Sequence, residues 1–497
     1  MSLAQGSRTW LAGNSIMLKW VRKLVNREIE PDNADTYCKS GMALMVTGNA
    51  QQAEIHLARA LALDPTLVDA HFGLGDLALA RGSLDVAERH WRNALALAPN
   101  FEAAYLSLCR LLFTKGELSQ ARHVVSSGIS HLPQSADLHF YLGNLQFHEQ
   151  QYQAAANSYR DALVLQAKRP EILANLGLAL LNEGQPEAAI ESLLAAAAID
   201  PRQASVHYNL GNAHLKLGKL DNAIASFKEA VGIEPRHADA HFSLGNALFN
   251  QDRFDEAIDS YRMALSLAPD HAAACSNLGS ALLRRGKGPE AIEALRQALS
   301  LMPSSVEAHC NLGTALQSLG HLDEAIETYQ KALAIDPKHA GSLFNLGTAL
   351  ETAGEFAGAV ECYGKLTTFA PMHAAAHCNL GRSLQALCRL DQALASYRHA
   401  LEADSDFTAA RTNMADVLIS QNKFTEAIAQ CDAVLATAPG DAIAHFNKSV
   451  ALLTMGDYRA GWREYEYRWQ CPGTAPKPAL PQSEWTGQQD LAGKTIL

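Results

Sequence analysis

Eight asparagines stand at intervals that are multiples of 34 residues: Asn175, Asn209, Asn277, Asn311, Asn345, Asn379, Asn413 and Asn447, with Ser243 in the one gap. A side-chain amide offers a donor and an acceptor together. A regular row of them on one surface can pair with the C=O and N–H groups of an extended polypeptide without reading its side chains. Each such bond nets about 0.5–1.5 kcal/mol, whereas ordering each bound residue costs about 1–2 kcal/mol. The expectation is broad, low-affinity capture, with selectivity from nearby charges such as Lys216, Arg284 and Arg382.

Other chemistry is weaker. Nine cysteines, with no Cys-x-x-Cys, fall where small or apolar residues belong, which reads as reduced packing thiols rather than a disulfide framework or a nucleophile. His237/His241 and His373/His377 are four apart, a spacing two metal ligands can share on a helix, but no acidic ligand adjoins them. Gly493-Lys494-Thr495 imitates the end of a phosphate-binding loop, yet the position needing the first glycine is Gln488. No catalytic residue, metal site or cofactor is expected.

The elements that must position the row follow from a second rhythm. Pro31, Pro65, Pro99, Pro133, Pro201, Pro235, Pro269, Pro303, Pro337, Pro371 and Pro439 lie on one 34-residue comb, broken only at Ala167 and Ser405. A period of that size means stacked copies of one supersecondary unit. Numbering each unit from Ala34 onward gives thirteen units through residue 475.

Position 8 is Gly in ten units, position 20 Ala in twelve and position 27 Ala in nine, as close helix crossings require. Position 15 is Gly in nine units, between two stretches of helical periodicity. That suits the left-handed residue ending a helix, and the Pro at position 32 stops the second helix. Each unit therefore reads helix, tight turn, helix. At about 100° per residue, positions 4, 7, 8 and 11 of the first helix share the packing side, while positions 2, 6, 9 and 13 point the other way. The asparagines are at position 6.

This pattern resembles the tetratricopeptide repeat over about 440 of the 497 residues. The resemblance implies an all-α fold, a right-handed α-solenoid superhelix of about thirteen 34-residue helix-turn-helix repeats, whose first helices line a concave groove. The family's frequent aromatic at position 4 is His here in seven units, read as packing variants. The asparagine row resembles the ladder in the repeats of O-GlcNAc transferase and that of importin-α, which implies polypeptide binding. The carboxylate clamp of heat-shock co-chaperones is not matched, because position 5 is never Lys.

The ends differ from the repeats. Residues 1–33 are expected to form an N-terminal capping helix, 34–475 the solenoid, and 476–497 a Pro-rich linker with the start of a truncated downstream domain. The last unit carries Gly461-Trp462-Arg463-Glu464-Tyr465-Glu466-Tyr467-Arg468-Trp469. Trp462, Tyr465 and Trp469 are more aromatic surface than one neighbouring helix needs, and they read as a docking face for a following domain. With Trp485-Thr486-Gly487 and Leu491 to Leu497, this tail resembles the junction of bacterial tetratricopeptide proteins that continue into a glycosyltransferase-like domain.

Two functions remain open at this stage. One is an interaction scaffold binding proteins or extended peptide segments. The alternative is the substrate-recognition region of a protein O-glycosyltransferase whose catalytic domain follows Leu497. A net charge of −11 has the wrong sign for nucleic acid, and no apolar run is long enough for a membrane span. A cytoplasmic location is expected.

Overall fold

A computed structural model describes residues 33–474. The expected capping helix within 1–33 and the linker at 476–497 lie outside the described residues. Met1–Asp252 and Arg253–Leu497 form two compact units. Among its described residues the first unit holds thirteen helices, from Ala34–Val46 to Ala238–Phe249. The second holds thirteen more, from Phe254–Leu267 to Tyr458–Tyr465, and then a 3-10 turn at Glu466–Gln470. Both units are all-α solenoid of helix-turn-helix repeats. Within each, a first helix packs on its second, and first helices of successive repeats also touch. No helix among the described residues is long and apolar enough to cross a membrane.

The turn at position 15 shows why the pattern is so regular. All thirteen residues there are left-handed: nine glycines at φ 67–91°, and Gln150, Asp252, Cys388 and Asn422 at 57–61°. Glycine adopts this conformation without steric cost, so its dominance records a geometric demand that the four exceptions also meet. The second helix stops because a residue before proline is pushed to extended backbone, as at Asp64 (φ −141°). Gln166 and Asp404 are equally extended at −140° and −146°, although Ala167 and Ser405 follow them.

Position 8 glycines exist to receive position 24. A Cβ on Gly347 would lie 2.6 Å from Cε1 of Tyr363, and one on Gly313 would lie 2.6 Å from Cε1 of Tyr329. Trp91, Tyr159, Phe227 and Tyr397 sit in the same way over Gly75, Gly143, Gly211 and Gly381. These large side chains are fully buried, so the small residue at the crossing is what admits them.

The position-4 histidines do more than pack. In all seven, His71, His139, His207, His241, His309, His377 and His445, Nε2 donates to the carbonyl of the proline six residues earlier, at 2.9–3.2 Å. Where Ser405 replaces that proline, Arg411 replaces the histidine, and its Nη2 donates to the Ser405 carbonyl at 2.9 Å. The bond ties each first helix to the corner before it. A His207→Phe exchange keeps the ring and loses the N–H, so thermal or denaturant unfolding should show a loss of about 1 kcal/mol. No measurable loss would mean the bond adds nothing beyond packing.

Candidate functional site

The asparagine row lies between successive first helices, half-buried rather than on an open face, and Asn447 is buried. In the second unit the amide nitrogens reach back toward the preceding repeat. Asn311 Nδ2 donates to Ser280 Oγ at 2.8 Å, and Asn345 Nδ2 to Thr314 Oγ1 at 3.3 Å and Cys310 Sγ at 3.8 Å. Asn379 Nδ2 donates to Tyr363 Oη at 3.3 Å, Asn413 to Cys378 Sγ at 3.7 Å, and Asn447 to the Thr412 carbonyl at 3.1 Å. Asn277 hydrogen-bonds with the Tyr261 phenol. In the first unit Asn175 Nδ2 donates to Asn144 Oδ1 at 3.0 Å, and Asn209 is half-buried.

Tyrosines at position 24 support the row from beneath. The one phenol hydrogen of Tyr329 serves Gln317 Oε1 at 3.0 Å or Thr314 Oγ1 at 3.2 Å; Tyr363 Oη reaches Thr348 and Glu351 at 3.1 and 3.2 Å. Burial pushes both phenols up to about 12, so each keeps its proton as a donor at neutral pH. In the first unit Tyr159 Oη donates to Asn144 Oδ1 at 2.9 Å. In the second unit the row from Asn311 to Asn447 is thus one edge of a hydrogen-bonded layer that ties these repeats to the ones before them.

The three nearby cations are more committed than their sequence positions suggest. Lys216 Nζ donates to the Leu181 carbonyl at 2.8 Å. The Arg284 guanidinium lies 5.0 Å over the Phe254 ring. Arg382 Nη2 pairs with Glu351 Oε2 at 2.6 Å, and Ser383 Oγ donates to Glu351 Oε1 at 2.6 Å. The Glu351 side chain is only 8% exposed, so Arg382 presents a pair rather than a free charge.

The histidine pairs that share metal-like spacing are used otherwise. Nδ1 of His237 and His373 accepts the backbone N–H of Ala240 and Ala376 as helix caps, while His241 and His377 make the carbonyl bond already described. Among the described residues no group of three or more His, Cys, Asp or Glu could hold a metal ion. Burial also raises the cysteine thiols, Cys109 and Cys431 to about 12 and Cys38 and Cys362 to about 11, which keeps them protonated.

Upstream of Asn175 the rung position is Tyr141. With Phe113, Phe147, Tyr152, His148 and Asn144 it lines an open cavity of about 560 Å³. Sequence reading passed over this; the signal was Phe at position 12 in two successive units, Phe113 and Phe147.

The aromatic terminal helix separates into distinct roles. Trp462 and Tyr458 are exposed, at 57% and 65%. Tyr465 packs on Phe446 and, edge-on, on Trp462, and the Arg468 guanidinium lies 4.4 Å from the Tyr465 ring and 4.2 Å from that of Trp469. Tyr467 stacks on His445 at 3.6 Å, with Glu464 on the other ring nitrogen of that histidine. Of the three predicted docking residues, Trp462 is the open one.

Family models described as tetratricopeptide repeat match residues 78–142, 316–388 and 384–453, and residues 38–100. Another, described as the C-terminal domain of cilia and flagella-associated protein 70, matches 135–342. Protein FlbA of Caulobacter vibrioides is 30% identical over 118 residues, 22% of this chain and 20% of FlbA, so the chain spans only a fifth of that relative. Among solved structures, MamA is 30% identical over 33% of this chain and 96% of its own, with a TM-score of 0.32. YrrB, described as a TPR protein with an unusual peptide-binding site, is 24% identical over 38% and 96%, with a TM-score of 0.34. The Cut9-Hcn1 structure is 14% identical over 88% and 99%, with a TM-score of 0.42.

Proposed function

Because tetratricopeptide repeats run through this chain, we propose that it is a protein-interaction scaffold that takes extended polypeptide segments along its asparagine row. The observation that carries this reading is the series of half-buried or buried amides in the second unit, one in each successive repeat from Asn311 to Asn447, anchored on the preceding repeat by hydroxyl, thiol or carbonyl groups. An anchored amide has lost its rotamer freedom before the ligand arrives, which reduces the entropy cost of binding. The paired state of Arg382 favours a backbone-directed, sequence-tolerant grip over charge-directed selection.

Replacing Asn277, Asn311 and Asn345 together by Ala tests this. Binding of uncharged, extended twelve-residue peptides, followed by fluorescence anisotropy, should weaken at least about tenfold, given about 0.5–1.5 kcal/mol per lost bond. Helical circular dichroism should be retained. Affinity within twofold of the parent chain would end the proposal.

A second reading draws on the exposed Trp462 and Tyr458 of the terminal repeat. In it, Trp462, with Tyr465 and Trp469 behind it, docks a following domain, and the chain is the recognition arm of a protein O-glycosyltransferase. Reading the coding sequence beyond Leu497 decides this: a sugar-nucleotide-binding domain supports it, and a stop codon removes it.

A further inference from the structure

The direction of four amides in the second unit, those of Asn311, Asn345, Asn379 and Asn447, is fixed by what their partners have already spent. Ser280 Oγ donates its hydrogen to the Ser276 carbonyl at 3.0 Å, so it can only accept from Asn311. Thr314 Oγ1 donates to the Cys310 carbonyl at 3.0 Å and likewise has only lone pairs for Asn345. Thr348 donates to the Phe344 carbonyl at 3.0 Å, so the phenol hydrogen of Tyr363 goes to Thr348 or Glu351 and Asn379 must donate. Asn447 faces the backbone carbonyl of Thr412, which has no hydrogen to give. In every case the amide nitrogen is turned to the preceding repeat, and its geometry turns Oδ1 the other way. Among the described residues no hydrogen bond reaches Oδ1 of Asn311, Asn345, Asn379 or Asn413.

We propose that this row binds polypeptide one-sidedly: Asn311, Asn345, Asn379 and Asn413 accept backbone N–H groups through Oδ1 and offer the ligand no donor. The inference rests on the scaffold reading above and narrows its ligand class. An extended chain presents N–H groups along each edge at alternate residues, whereas proline has none. The row therefore takes proline-poor extended segments and passes over proline-rich ones, whatever their side chains.

The test uses the full chain and two uncharged twelve-residue peptides of one sequence, one unmodified and one N-methylated at every internal residue. N-methylation removes the donors and leaves the carbonyls, and it should weaken binding at least about tenfold, the scale of two lost bonds. On the protein side, Asn311→Asp with Asn345→Asp keeps an acceptor at each rung, and Ser280 and Thr314 can rotate their hydroxyls to donate to it. This pair should bind the unmodified peptide within threefold of the parent or more tightly, while Asn311→Ala with Asn345→Ala should lose about tenfold. If the Asp pair loses as much as the Ala pair while both stay helical, the row donates to peptide carbonyls, and one-sidedness is overturned although the scaffold reading stands. Equal binding of the N-methylated peptide overturns it without any variant. An Ala pair that binds like the parent overturns the scaffold reading itself.

Discussion

Gly347→Ala should destabilise the second unit by about 2–3 kcal/mol, the cost of forcing one extra carbon into a filled core. The new Cβ would meet the Tyr363 ring at 2.6 Å, and that ring is fully buried with its hydroxyl held by Thr348 and Glu351, so it has nowhere to swing. The chain itself shows the compensating move. Where position 24 shrinks to Val125, position 8 grows to Cys109, and where it shrinks to Cys431, position 8 is Ala415. All four are buried. Tyr363→Val alone should be costly because it opens a cavity, but the double variant should be more stable than the sum of the singles by 1 kcal/mol or more, a coupling in the range of about 0.5–3 kcal/mol seen for touching residues. Denaturant midpoints of the four chains close the cycle. Simple additivity would show that the glycine is not there for the tyrosine.

Asp76→Asn should act in the opposite sense, on the first unit. Burial raises the Asp76 carboxyl from 3.8 to about 6, with the Trp91 indole N–H and the Arg110 guanidinium opposing that rise. Trp91 Nε1 and Arg110 Nε are buried without a fully formed hydrogen bond, so these two donors offset the burial of Asp76 only in part. Because the folded value exceeds the unfolded one, the ionised form is the disfavoured one. Stability falls as pH rises from about 4 through about 6 and then levels. A difference of about two pH units corresponds to up to about 3 kcal/mol at neutral pH. Asn removes the charge, so the variant should melt higher than the parent at pH 7 and match it near pH 4. A gain of the same size at both pH values would assign the effect to something other than ionisation.

The repeat architecture was legible because its demands fall on single positions. Gly at 15, Gly at 8 and Pro at 32 each answer one local steric requirement, and the helices start and stop where those residues indicate. The position-4 histidines were visible but only as ring-sized side chains. Their bond to a carbonyl six residues earlier depends on how the corner folds back, which periodicity does not encode. The substitution of Arg411 opposite Ser405 was the one trace of it in the sequence.

The asparagine row was legible as a pattern and not as a direction. Its place off the packing side of its own repeat follows from helical angles, but whether Nδ2 or Oδ1 faces the preceding repeat depends on hydroxyls 31 residues away and on the i−4 carbonyls those hydroxyls already serve. The same kind of distant partner hid the state of Arg382, whose carboxylate, Glu351, is likewise 31 residues earlier.

The left-handed turn at Cys388 has a practical consequence. Of the nine cysteines, seven are buried, Cys471 is half-covered, and Cys388 alone is exposed. It follows the helix Ala374–Ala386, which carries Asn379 and Arg382. A maleimide dye should therefore attach first at Cys388, ahead of the half-covered Cys471, at the end of a helix that carries part of the row. The protein supplies its own reporter, and ligand titrations can be read by fluorescence without introducing a single substitution.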